Sequence, residues 1–231
     1  MPCNRGRLQI KEVELVDEEV KERIQGDLDA LGENYKTRDV DGLIRKYLKE
    51  GVDVSSLRNS VLKEQQFHRI YFHVSLKQRE NASERMAFIH ENLLFSDWWH
   101  TDELIALVRE ADFQEALSYA RGYVKEEDPF IRRWGYVMFI SKLCRERSRL
   151  EDILSLLHDD EHYYVQMAEA WLIAELVVFF PEEMLRWFRK ENRLKYSING
   201  KAVQKICESY RVREGYKKKF RALRNRLKLK K

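Results

Sequence analysis

Proline and glycine are scarce in this chain, with 3 and 9 of them in 231 residues. An all-β sandwich or barrel needs turn residues every few positions, so the shortage argues against that class. Cysteine is present but not in useful patterns. Cys3, Cys144 and Cys207 are odd in number and far apart, with no CxxC pair, which leaves neither a disulfide framework nor a cysteine zinc site. Long apolar runs are also missing. The longest, residues 168–180, is interrupted by Glu169 and Glu175 and falls short of the roughly 20 residues that span a bilayer. The first fifteen residues hold no uncharged apolar stretch of the kind that directs export. These absences predict a cytoplasmic protein. The patterns GxGxxG, GxxxxGK[ST] and GxSxG are absent too, so dinucleotide, P-loop and serine-hydrolase readings have no anchor.

What is there favours helix. Leu, Glu, Lys, Arg and Ala dominate, and these lose little on entering a helix. The net charge of +4 conceals a polarised chain. Residues 211–231 hold 11 Lys/Arg against the single acid Glu214, while the other residues hold 32 basic and 38 acidic side chains. A polyanionic partner would suit that distribution; so would a solvated C-terminal helix that merely aids solubility.

Helical periodicity runs almost from end to end. The pattern predicts helices over residues 12–31, stopped by Gly32, and over 39–50, stopped by Gly51. Ser55 or Ser56 can cap a third that carries Leu57, Val61, Leu62, Phe67 and Ile70, and Ser83 opens a fourth. Short helices follow over 102–108 and 112–124. Asp128-Pro129 opens one expected to reach about Cys144, because Pro at the first helical position has no hydrogen bond to lose. Residues 150–157 and 163–180 continue the series. Pro181 opens the next helix, Ser197 or Asn199 another, and the basic residues 216–229 make the last. The stretch 168–180 is apolar nearly all round, as in a helix packed on both sides. About a dozen paired helices in units of roughly 40 residues predict an all-α repeat solenoid or curved bundle, as one domain.

Two constellations bear on chemistry. His158-Asp159-Asp160-Glu161-His162 fits the HxxEH pattern of inverted zinc metalloproteases. That chemistry needs both histidines on one continuous helix, and the acidic segment reads instead as a turn before the helix at Tyr163. The second constellation is spread over three segments. Trp98-Trp99-His100-Thr101-Asp102-Glu103 sets two indoles before two acids, Phe130-Ile131-Arg132-Arg133-Trp134 sets two guanidiniums early on a helix, and Tyr163 to Trp171 puts aromatics on the apolar helix.

These three segments, in this order and at these separations, resemble the AlkD-type DNA alkylation repair glycosylases, a family of HEAT-like helical repeats. Residues 96–105 are similar to the family's W-W-D-x-x-D segment, residues 128–134 to its aromatic-x-x-R segment, and residues 164–175 to its F-I-Q-K-A-x-x-W-x-L-x-E helix. A looser likeness covers residues 47–62 and 194–210.

The resemblance implies release of N3- or N7-alkylated, positively charged purines from duplex DNA, with no metal or other cofactor and with the chain acting as a monomer. Carried over position by position, it implies that Trp99 and Trp171 are the active-surface tryptophans and that Arg133 holds a phosphate near the lesion. Glu103 takes the place of the catalytic Asp in an ungapped match, with Asp102 as the neighbouring alternative, and His100 stands where the family has the first Asp of W-W-D. Arg132, Lys142, Arg145, Arg147, Arg186, Arg189, Lys190 and Lys201 are candidates for holding DNA, with the cationic C-terminal residues beside them. Two other readings remain: a DNA-binding protein of the same build that excises nothing, and a helical scaffold for another protein.

Overall fold

The computed structural model describes residues 18–140 and 142–228, with side chains through Arg224. The expected start of the first helix at Glu12, Cys3 and the expected last residue Leu229 lie outside the described residues. Among the described residues there are twelve α-helices, three short 3-10 turns and no strand. No helix among them is long and apolar enough to cross a membrane. The helices fall into two compact units, one running to Phe88 and one starting at Ile89.

The first unit contains α1, described over residues 18–29, α2 (Thr37–Glu50), α3 (Gln65–Lys77) and the start of α4 (Ala82–Glu91). Gly51 stops α2 as the sequence predicts. At φ +67 it takes the left-handed conformation that a side chain would resist, and its N–H closes on the Leu48 carbonyl. The helix expected through Leu57 and Ile70 is broken in two. A 3-10 turn covers Ser55–Asn59, and α3 begins only after Glu64, which is extended at φ −137, ψ 131. Leu57, Val61 and Phe67 all reach the core.

The second unit contains the rest of α4 and α5 (Trp98–Asp102), α6 (Phe113–Tyr123), α7 (Pro129–Val137), α8 (Leu150–Leu156), α9 (Tyr163–Phe179), α10 (Pro181–Lys190), α11 (Tyr196–Glu208) and α12 (Glu214–Lys228). Packing sorts most of these into two series. Helices α5, α7, α9 and α11 lie against one another in that order, and α6 with α8 and α10 with α12 pack in a second series. Each series is tied to the other by α6 on α7, α10 on α9 and α12 on α11. Side-chain bonds between neighbours within a series, or from the turn after α11 back to α9, join residues 31 to 36 apart: Arg133 to Asp102, Lys201 to Gln166, Arg211 to Glu175 and Arg121 to Asp152. That regular offset is the mark of stacked helical repeats, somewhat shorter than the units read from the sequence. Helix α9 packs against α7, α10 and α11, which buries most of its nearly all-apolar surface and leaves Tyr163, Met167 and Trp171 at least partly open.

Two boundaries differ from expectation. Helix α7 stops at Val137 instead of continuing to Cys144. Met138, Phe139 and Ile140 are all buried, and tight turn bonds from Phe139 and Ile140 to the Tyr136 and Val137 carbonyls place them. On α7, Gly135 allows close approach to α6: an added Cβ would lie 2.9 Å from Val124 Cγ1. The second difference is that the helix expected over 102–108 starts earlier, at Trp98, and is followed by a 3-10 turn at Ile105–Leu107. That shift decides which residues form the site.

Candidate active site

Helix α5 exists because of its cap. The Asp97 carboxylate accepts the Trp98 N–H at 2.6 Å, and buried His100 Nδ1 accepts the N–H groups of Ser96 and Asp97 at 3.0 and 3.1 Å. A carboxylate at position 100 could accept the same two bonds, which accounts physically for an acceptor-bearing side chain there. With the helix begun at Trp98, the i, i+4 partner of Trp98 is Asp102, and Trp99 with Glu103 lies one position, about 100°, further round. Glu103 is the C-cap residue, half-buried. Trp99 is half-buried with its ring on His100, centroids 3.7 Å apart.

A cavity of about 330 Å³ opens between α5, α7, α9 and α11. Its walls include Trp98, Asp102, Arg133, Tyr164, Trp171 and Lys205. Tyr163 and Met167 complete the wall that α9 supplies. Trp98 and Tyr163 are exposed to solvent, at 43% and 57%, and Trp171 is half-buried with its indole at the cavity. Trp171 is therefore not sealed into the core between α7 and α11, as an ordinary core tryptophan would be.

Arg133 holds the site together. It is 4% exposed. Its Nε donates to Thr101 Oγ1 at 3.0 Å, one terminal nitrogen to the Tyr164 carbonyl at 2.8 Å and the other to Asp102 Oδ1 at 2.6 Å. One guanidinium thus joins α5, α7 and α9, the three segments singled out in the sequence. A buried fork spent on these acceptors is poorly placed to reach a DNA phosphate, which is the role the resemblance implied. It orients a carboxylate instead. Thr101 gives its own proton to the Trp98 carbonyl at 2.9 Å and stands 3.3 Å from Asp102 Oδ1. Every contact on the carboxylate falls on Oδ1, and among the described residues Oδ2 has no protein partner. An anchored, partly exposed carboxylate with one oxygen unspent can face a developing positive charge.

The other candidates are distributed differently. Arg132 is taken up by Asp160, through bonds of 2.7 and 3.3 Å, and by the carbonyls of Glu126 and Glu127. Lys142 is paired with Glu110, Arg147 with Glu183 at 3.0 Å, and Arg145 sits over the Phe179 ring. Arg186, Arg189 and Lys190 are exposed on α10, in the series of helices that does not line the cavity. Lys201 is near it, bonded to Gln166 Oε1 at 2.7 Å with its ammonium over the Tyr163 ring. The sequence reading missed Lys205. Burial pulls its ammonium below the usual lysine range. The signal was a repeat of spacing: Lys201 and Lys205 are four apart on α11, and each lies against an aromatic of α9.

His158 to His162 is a non-helical connection, with His162 serving as the N-cap residue of α9. The continuous helix that an HxxEH zinc site requires is not formed there, and no group of residues able to hold a metal ion occurs among those described.

A stacked helical-repeat unit that opens an aromatic, carboxylate-bearing cavity between successive repeats defines the class of protein. Residues 31–213, which include every helix lining the cavity, match the family described as DNA alkylation repair enzyme, and the chain belongs to that family. No curated protein and no solved structure matches it significantly.

Proposed function

We propose that this member of a DNA repair family is a glycosylase that hydrolyses the N-glycosidic bond of cationic N3- or N7-alkylated purines in duplex DNA, with Asp102 as its catalytic carboxylate. The observation that carries the reading is Asp102 itself. Its Oδ1 is tied down by buried Arg133, its Oδ2 is unspent, and aromatic rings of α5 and α9 line the same cavity. An alkylated purine already bears the charge that makes it a good leaving group. As the bond breaks, its electron pair moves to the base, which departs neutral, and positive charge develops at C1′ of the deoxyribose. Asp102 Oδ2 stabilises that charge and takes the proton of the water that adds to C1′. Trp98 and Trp171 offer π faces to the cationic nucleotide, and Lys201 adds a positive rim. Glu103, the acid of the ungapped match, is assigned no direct part.

The test is base release from methylated duplex, measured above spontaneous depurination. Asp102→Asn is expected to lower the rate on the order of a hundredfold or more while duplex binding is retained, and Glu103→Gln to stay close to wild type. A wild-type chain that binds the duplex and releases no base would overturn the enzymatic reading in favour of a DNA-binding member that excises nothing. If Glu103→Gln is the inactive variant, the acid is misassigned.

A further inference from the structure

Helix α10 is two-sided. Met184, Leu185, Trp187 and Phe188 are buried where it packs against α9 and α12. The other side carries Arg186 and, one turn on, Arg189 and Lys190, with Arg193 following in the turn before α11; all four are exposed. This side looks away from α9, and α10 contributes no residue to the walls of the cavity.

The four cations are unspent. Among the described residues none of them makes a hydrogen bond or an ion pair. The acids at the start of α10 are committed elsewhere: Glu182 accepts the Tyr216 hydroxyl at 3.0 Å and pairs with Lys219 at 3.5 Å, and Glu183 pairs with Arg147 at 3.0 Å. Glu191 is the one acid within residues 186–193, so four cations against it leave a local charge of +3. Cations in a last turn complement the helix dipole, which accounts for Arg189 and Lys190. It does not account for Arg186, a turn earlier, or for Arg193, beyond the helix.

The chemistry of the face selects its partner. The large apolar side chains exposed among the described residues are Leu62, Trp98, Tyr163 and Tyr210, and none belongs to α10 or to the turn after it. A protein partner is held by aromatic or aliphatic anchors, and a membrane surface by inserted apolar side chains. A phosphate backbone requires neither, because cations that release its condensed counterions suffice. Membership of a DNA alkylation repair family points to duplex DNA as that backbone.

We propose that the outer face of α10, from Arg186 to Arg193, is a second duplex-binding surface separate from the cavity, so that one chain holds two segments of DNA at once. The second segment is held by its phosphates alone, without regard to sequence. What occupies the cavity rests on the glycosylase reading; the outer face does not.

The experiment is sedimentation of the full chain with an excess of a short duplex carrying a tetrahydrofuran abasic-site analogue, at low salt. Wild type is expected to hold two duplexes per chain. The combined variant Arg186→Gln, Arg189→Gln, Lys190→Gln and Arg193→Gln should hold one, with the affinity of that one and the urea midpoint of unfolding unchanged. Four phosphate contacts give the second duplex a slope of log affinity against log salt of about −3 to −4. Two duplexes on the variant would mean that the second is held elsewhere or bridges two copies of the chain, and one on both proteins would mean that the face is merely solvated. Either result overturns the proposal, as does displacement of the second duplex by an equal concentration of single-stranded RNA. One duplex on wild type and none on the variant would leave the outer face standing and the cavity without DNA, against the glycosylase reading. Two and one, with no base released from methylated duplex, would likewise keep the face and remove the enzyme. No duplex on wild type would overturn both.

Discussion

Glu169 shows what a single residue can hide. It sits at 0% exposure in α9, with Oε1 accepting the His158 N–H at 3.1 Å and Oε2 without a hydrogen-bond partner among the described residues. Burial, seconded by the negative charges of Asp160 and Asp159, pushes its carboxyl up to about 8. The folded state therefore keeps a proton that the unfolded chain gives up near 4.5. Between those values the native protein binds more protons than the unfolded one, so stability is full below about 4.5 and falls as pH rises toward 8. The drop should be on the order of a few kcal/mol. Glu169→Gln keeps the shape without the ionisation, so its urea midpoint should change much less than wild type's between pH 5 and 8. Equal pH dependence in the two proteins would mean that Glu169 is not the group responsible. At the same scale, Asp102 and Glu103 are neighbours of one chemistry, and the sequence offers both as the acid. Only the start of α5 at Trp98 turns one of them to Arg133.

At the scale of the helix, Arg133 matters because it bonds to two others besides its own. The motif that contains it was legible in the sequence, as was its helix start at Asp128-Pro129, whose carboxylate accepts the Phe130 and Ile131 N–H groups at 2.7 and 3.3 Å. Its partners were not legible, since Thr101 and Asp102 lie 32 and 31 residues away. A positioning residue and a phosphate-binding residue fail differently when altered. Arg133→Lys keeps the charge but loses the planar fork that reaches α5 and α9 together. Base release is expected to fall on the order of tenfold to a hundredfold through misplacement of Asp102, while affinity for the abasic analogue and its salt slope stay near wild type. A reduced salt slope with an unaltered rate would return Arg133 to the phosphate.

The charge asymmetry of the whole molecule takes a different meaning once α12 is seen. Its cations lie on a helix whose apolar face is part of the fold: Phe220 is fully buried against Phe188 of α10, ring centroids 5.3 Å apart, and Leu223 is 7% exposed. Removing residues 211–231 would thus strip cover from α10 and α11 as well as charge, and would confound any measurement of DNA affinity. Glutamines at the exposed Lys218, Lys219 and Arg221 separate the two effects. The triple variant should unfold at nearly the same urea concentration as wild type, because exposed ion pairs such as Lys219 with Glu182 contribute little. If these cations meet DNA, the salt dependence of duplex binding becomes shallower by up to about three. An unchanged slope would assign α12 to solubility and packing alone.

The amino-acid sequence by itself determined the helical class, most helix positions and the three segments that carry the family's features, because periodicity, caps and stops act within a few residues. Tertiary structure decided the rest. Helical repeats bring together residues some 31 to 36 positions apart, and no local pattern encodes which face of each helix meets the next. That stacking put Lys205 beside Trp171 and buried Arg133 beneath Asp102. It also left Arg186, Arg189 and Lys190 on the other series of helices.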